Sequence, residues 1–176
     1  MHDALISTRL LLRAFAIDDV DSFARICGDP AISLWASRYP GSDPSAAADH
    51  VAAAIHAFES GRACCFAIEH LAERRLMGEV CLDLRSSLLS YLLGAEFRGN
   101  GYATEAVRLF LLHARQQLRM HLIMADVVRE NMASRRVLEG AGFQFQFLFR
   151  NRVEVSAPAL LRYRVNLSPW VPGVLP

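Results

Sequence analysis

Between an apolar run and an amphipathic segment stands Arg98-Gly99-Asn100-Gly101-Tyr102-Ala103-Thr104-Glu105-Ala106. The position suits an anion. The first amides of a helix lack intrahelical acceptors, and the helix dipole adds partial positive charge there. Gly99 and Gly101 let the main chain approach a phosphate closely and take positive φ. Arg98 adds a fixed positive charge beside them. Two familiar nucleotide loops do not fit. A dinucleotide fold needs G-x-G-x-x-G, but Thr104 stands at the third position and no acidic residue caps a following strand. A Walker loop needs Lys, and all 19 basic residues are Arg. The same lack of Lys excludes Schiff-base chemistry, and with it a pyridoxal phosphate enzyme.

Four Cys are present, at 27, 64, 65 and 81, none at metal-ligand spacing. Adjacent Cys64 and Cys65 fall on opposite faces of a strand, and all four read as reduced, small apolar residues. The six His are scattered without paired spacing, so no metal site is expected. The net charge of +1 gives no argument for nucleic acid or membrane partners. No apolar run approaches the roughly 18–20 residues that span a bilayer, and the first residues do not form a signal peptide. A cytoplasmic protein is expected. At 176 residues and 53% hydrophobic, the chain suits one domain, 1–168, with an irregular tail at 169–176.

The elements that must position the loop follow from periodicity. Residues 8–15 read as a first strand. Asp18 or Asp19 caps a helix carrying Val20, Phe23, Ile26 and Cys27 on one face. Residues 29–43 read as a loop containing Trp35, Arg38 and Tyr39, a composition suited to gripping a substrate. Asp43-Pro44 starts a helix that ends at Gly61. Residues 63–69 and 76–84 read as a hairpin. In its second strand Leu76, Gly78, Val80, Leu82 and Leu84 share one face; Met77, Glu79, Cys81 and Asp83 share the other. A third strand, 89–93, precedes the loop. A helix at 102–118 follows, with Ala106, Leu109, Phe110 and Leu112 inward. Then come a strand at 120–128, a helix at 132–140 and strands at 143–149 and 159–165. This alternation implies at least one parallel pair in a mixed α/β, or α+β, sheet.

The loop motif resembles the pyrophosphate loop and helix of the GNAT acetyltransferases, and most of all the branch of ribosomal-protein N-terminal acetyltransferases. Asn131-Met132-Ala133-Ser134 and Val137-Leu138, followed by Gly140-Ala141-Gly142-Phe143, continue the resemblance in order. So do Thr8-Arg9-Leu10-Leu11-Leu12-Arg13 at the opening strand and Met77-Gly78-Glu79-Val80 at the third. The resemblance implies a mostly antiparallel sheet of about six or seven strands with one splayed parallel pair, flanked by about four helices. It implies an enzyme that moves an acetyl group from acetyl-CoA to a primary amine by direct attack in a ternary complex. Backbone amides of Arg98, Gly99, Asn100, Gly101, Tyr102 and Ala103 would hold the pyrophosphate. Main-chain groups of Leu92 and Leu93 would pair with the pantetheine, and Leu93 N–H or a neighbour would polarise the thioester carbonyl. Asn131 would bond the pantetheine and Ser134 would lie near the sulfur. Asn131 also reads as an ordinary N-cap, and Ser134 as a small packing residue.

Two departures matter. Many relatives carry a Glu-Gly-Tyr triplet on the strand before the loop, where this chain has Leu89-Ser90-Tyr91. Many also carry a Tyr general acid where this chain has Leu138. Glu79, Asp83 and Glu154 are therefore the candidate bases, Glu79 foremost, with Ser134 as donor to the sulfur. Trp35, Tyr39 and Tyr91 are the candidate acceptor contacts. The acceptor is a protein N-terminus or a small amine, and the protein a monomer or homodimer. A module that binds acyl-CoA without catalysis is the competing reading.

Overall fold

The computed structural model describes residues 4–35, 39–150 and 158–167. Arg38, Glu154 and the tail at 169–176 lie outside the described residues. The elements run β1 (Leu5–Ile6), β2 (Leu10–Arg13), α1 (Val20–Cys27), α2 (Pro30–Trp35) and α3 (Pro44–Glu59). They continue with β3 (Ala63–His70), β4 (Arg75–Asp83), β5 (Leu88–Leu93), α4 (Tyr102–Gln116), β6 (Leu122–Val128), α5 (Met132–Gly140), β7 (Gln144–Phe149) and β8 (Leu160–Asn166). The strands form one sheet in the order β1-β2-β3-β4-β5-β6-β8-β7. Every neighbouring pair is antiparallel except β5 and β6. Eight strands and five α-helices thus stand among the described residues, one or two strands and one helix more than expected.

Both sheet faces are covered. Phe66, Val80, Leu82 and Leu89 pack with Phe110 of α4 and Leu138 of α5. On the opposite face Ala67 and Leu92 pack with Phe23 of α1, Ile32 of α2 and Val51 of α3. The starts of the helices follow their sequence. Asp43 accepts a hydrogen bond from Ser45 N–H at 2.9 Å and Pro44 fills the first helical position, where no amide partner is needed. Cys64 and Cys65 do divide between the two faces.

Four expectations are corrected. The stretch 29–43 is not all loop: Pro30 opens the short α2, and Asp29 bonds Ala31 N–H at 2.9 Å as its start signal. Leu112 is 50% exposed; α4 instead buries Val107, Leu111, His113 and Ala114 beside Ala106 and Phe110. Cys65 and Cys81 are not separate thiols. They face each other across β3 and β4, and a disulfide joins them.

The fourth concerns β4. Its register against β3 slips at Ile68/Glu69, so that Ile68 opposes Gly78 and Glu69 opposes Leu76. Met77 is the extra residue of this bulge, and one extra residue swaps faces. Met77 therefore packs with Val80 and Leu82, and Leu76 joins the other cluster. Beside the bulge Gly78 lies against β5, and a Cβ there would meet Leu92 O at 2.1 Å. Gly78→Ala must push β4 off β5. It should cost about 2–3 kcal/mol, lowering Tm by roughly 5–10 °C. Thermal unfolding followed by circular dichroism checks this, and an unchanged Tm would refute the close approach.

Candidate active site

The site is a gap in the sheet. β5 and β6 meet at one register pair, Leu88↔Met124, fixed by Met124 N–H bonding Ser87 O at 2.9 Å. Beyond that point the strands part. The opening is a cleft of about 1240 Å³ whose walls include Leu93 of β5, Val127 of β6, and Asn131 and Ser134 of α5. The cleft runs from the start of α4, at Gly99 and Gly101, to Trp35 and Tyr39 on the far side.

Backbone direction along β5 follows from one bond. Gly94 N–H donates to Met77 O at 2.9 Å, toward β4. Alternation along an antiparallel ladder then turns the main-chain groups of Leu92 toward β4, and those of Tyr91 and Leu93 toward the gap. The Leu93 carbonyl is taken there by Arg98, which donates from Nε and Nη2 at 3.0 and 2.9 Å. This leaves Leu93 N–H facing the gap. Arg98 Nη1 pairs with Asp29 at 2.7 Å. The Arg98 guanidinium is therefore a brace between the loop, α1 and β5, rather than the free positive charge of the sequence reading.

At the loop itself Gly99 and Gly101 have φ of 81° and 79°. Gly101 is the N-cap of α4, so no cap side chain competes for the helix amides. The first helical bond runs from Glu105 N–H to Gly101 O, which leaves the amides of Tyr102, Ala103 and Thr104 without helical acceptors. Arg9, whose role sequence reasoning missed, holds this turn from the bend between β1 and β2. Its Nη1 donates to Asn100 O at 3.0 Å, and its guanidinium lies 4.4 Å over the Tyr102 ring. Its Nε donates to Glu105 at 2.7 Å, and Ser7 Oγ donates to the same carboxylate at 2.7 Å. Partial burial alone would raise the Glu105 pKa; these hydrogen bonds outweigh it and hold the carboxyl below its ordinary range. Glu105 thus anchors the helix start to the sheet edge.

Across the gap, Asn131 is the N-cap of α5, its Oδ1 accepting from Ser134 N–H at 3.0 Å. Tyr91 reaches from β5 to the same helix. Its hydroxyl donates to Ser134 O at 2.9 Å and lies 2.8 Å from Ser134 Oγ. Leu138 is buried at the back of the cleft.

The carboxylates sort differently from expectation. Glu79, the foremost candidate base, does not line the cleft. It is 1% exposed, with His50 Nε2 of α3 at 3.3 Å from both carboxylate oxygens. His50 stacks on Phe23 at 4.9 Å and lies 5.5 Å from Tyr39, which borders the cleft. Glu79 therefore sits behind the cleft wall, not on it. Its His partner is 29 residues away in sequence, with no local pattern to announce it. Asp83 borders the cleft but accepts the N–H groups of Ser86 and Arg85 at 2.8 and 2.9 Å. Those bonds, Ser86 foremost, outweigh a slight desolvation and lower its pKa, which makes it a poor base. Asp126, also on the wall, is held on both oxygens by Arg162 at 2.7 Å. Ligand atoms of Cys65, Glu79 and Cys81 gather within 4.8 Å, a cluster that cross-strand register creates and spacing could not reveal; there the two sulfurs bond each other.

The acetyltransferase (GNAT) domain family matches residues 9–144. Among curated relatives, probable N-acetyltransferase YjcK of Bacillus subtilis is 36% identical over 97 residues. That stretch is 52% of this chain and 54% of the relative, so the match spans about half of its length. Two solved structures share the fold. A GNAT acetyltransferase from Bacillus anthracis superposes with a TM-score of 0.83 at 18% identity, over 94% of this chain and 99% of that one. The ribosomal-protein-S5-alanine acetyltransferase of Vibrio fischeri superposes with a TM-score of 0.79 at 16% identity, over 97% and 100%. With a family match that takes in the cleft, its loop and both flanking helices, this chain belongs to the GNAT acetyltransferases, enzymes whose general reaction is acetyl transfer from acetyl-CoA as co-substrate.

Proposed function

We propose that the chain acetylates a primary amine, a peptide N-terminus or a small amine, by direct attack on acetyl-CoA in a ternary complex. One observation carries the reading: a cleft joins helix-start amides that lack helical acceptors to Trp35 and Tyr39, with an unpaired strand edge between them. The amides from Gly99 to Ala103 hold the pyrophosphate; the Arg98 amide, which the sequence reading included, is taken by Ala95 O at 3.2 Å. The pantetheine lies along β5, pairing with the gap-facing main chain at Leu93, and Leu93 N–H polarises the thioester carbonyl. Asn131 Nδ2 donates to the pantetheine while Oδ1 caps α5. The amine enters past Trp35 and Tyr39. The fold neighbours include several ribosomal-protein acetyltransferases, and both classes of amine stay within the proposal.

Direct attack is favoured over an acyl-enzyme because no thiolate is on offer among the described residues. The free thiols of Cys27 and Cys64 are buried, which pushes each pKa up to about 12; Glu79 contributes further at Cys27. Cys81, at the cleft wall, is held in the disulfide. The proton acceptor we assign is Glu79 acting through His50, reached from the cleft past Tyr39. Glu154 stays a second candidate from outside the described residues. The engaged state of Asp83 and Asp126 favours the competing reading, a binding module without turnover. No helix among the described residues is long and apolar enough to cross a membrane. The proposal keeps the protein in the cytoplasm, as a monomer or homodimer.

Thiol release from acetyl-CoA over a panel of amines tests the function; turnover with some amine is expected, and CoA binding without turnover on any would establish the binding module. Gly101→Val should strain a positive φ and crowd the anion site, weakening CoA at least about tenfold by calorimetry, or about 1.4 kcal/mol. Unchanged affinity in the folded variant would remove the loop from the cofactor site. Glu79→Gln should lower kcat at least about tenfold and leave CoA affinity intact. If kcat holds, the rate must instead follow the neutral fraction of the acceptor. At pH 7 that fraction is about one-seventh for an α-amino group and about one in 2,500 for a lysine amine.

A further inference from the structure

Tyr91 and Ser134 are the two hydroxyls in contact on the cleft wall, one on β5 and the other on α5. They face the gap between the strands, on the sheet face that packs α4 and α5. The Tyr91 oxygen lies within reach of both Ser134 O, at 2.9 Å, and Ser134 Oγ, at 2.8 Å. Its proton therefore has two acceptors on one residue, and moving between them needs only rotation about the C–O bond.

We propose that Tyr91 is the source of the proton that Ser134 delivers to the departing sulfur, a role that rests on the transferase function above. The order of acidities and the contact argue for it. The leaving thiolate has the basicity of an ordinary thiol, pKa about 8.5. A phenol is the stronger acid of the two hydroxyls in contact, even with burial raising its pKa here, whereas Ser134 alone would be left as an alkoxide. With Tyr91 behind it the balance closes. The amine nitrogen bonds the carbonyl carbon and the C–S bond breaks as the tetrahedral intermediate collapses. Ser134 Oγ–H passes to the sulfur, the Tyr91 proton passes to Ser134 Oγ, and the phenolate regains a proton from solvent. The proton lost by the amine leaves through the base. Burial raises the Tyr91 pKa, with the Ser134 hydrogen bond a smaller opposing effect, so the phenol keeps its proton throughout the neutral range. Tyr91 acts through Ser134 and is a positioning residue with a proton of its own to give.

Single-turnover rates for Tyr91→Phe, Ser134→Ala and the double variant test the relay, with Tm and calorimetric CoA affinity measured alongside. Tyr91→Phe keeps the ring and removes one oxygen. It should lower the chemical rate at least about tenfold with CoA affinity unchanged, and the double variant should be no slower than Ser134→Ala. Replacing Tyr91 with ring-fluorinated tyrosines of graded acidity gives a readout that packing does not share. The rate should acquire an alkaline limb whose midpoint falls as the phenol becomes more acidic. A Tyr91→Phe rate equal to wild type, additive losses in the double variant, or a pH profile indifferent to fluorination would each overturn the relay. Wild-type turnover alongside any of these leaves the transferase reading standing; no wild-type turnover on the whole amine panel overturns both.

Discussion

Two parallel strands that meet at a single residue pair set the terms for the rest of this molecule. Leu88↔Met124 closes one end of the β5–β6 seam, and the remainder is left without a ladder. Unpaired main-chain groups inside a sheet are costly when no acceptor reaches them. The chain meets that cost partly with its own atoms, as Arg98 covers Leu93 O. What stays uncovered is a strand edge with main-chain groups facing the gap. The parting also sets which elements border the gap: α4 follows β5 and α5 follows β6, so both helix N-termini open toward the same cleft.

Stiffness at that gap comes from side chains that tie distant segments together. Arg9 bonds the loop carbonyl of Asn100 and the Glu105 carboxylate, fastening the β1–β2 turn to the start of α4. Arg98 fastens the preceding turn to Asp29 after α1. On α5, Tyr91 bonds both oxygens of Ser134. Charged hydrogen bonds of this kind hold geometry more tightly than neutral ones, and a cofactor site of backbone amides depends on geometry more than on charge. This is why Arg98, next to the loop at Gly99 and Gly101, has its value as a brace.

Legibility in the sequence divided along the same line. The geometry of the loop could be read because it lies in the main chain: two glycines before an amphipathic run specify where the helix starts and φ is positive, whatever the rest of the fold does. Helix α5 was legible to the residue, 132–140, because Asn131 and the Gly140–Gly142 stretch mark both ends. The hairpin strand β4 was legible as a strand but not in its facing, since the bulge at Met77 is set by pairing with β3. α2 escaped notice because six residues carry too little periodicity to separate a helix from a loop. The Cys65–Cys81 pairing depends on register across 16 residues, and four cysteines scattered along a chain do not reveal which two will face each other.

Glu79 illustrates why the catalytic half stayed obscure. Alternation put a carboxylate on one face of an interior strand without saying what covers that face. In the fold α1 and α3 cover it, and the carboxylate is sealed beneath them with His50 as partner. A buried carboxylate with no partner would cost several kcal/mol, so its presence in the core requires some compensating group, yet nothing in the sequence says which of six His supplies it. The same holds for Tyr91, whose hydroxyl finds its partner 43 residues away. Side-chain chemistry in this fold is assembled from elements that meet only at the gap, so it becomes readable once the register of β4, β5 and β6 is known. Backbone chemistry is written locally and can be read before.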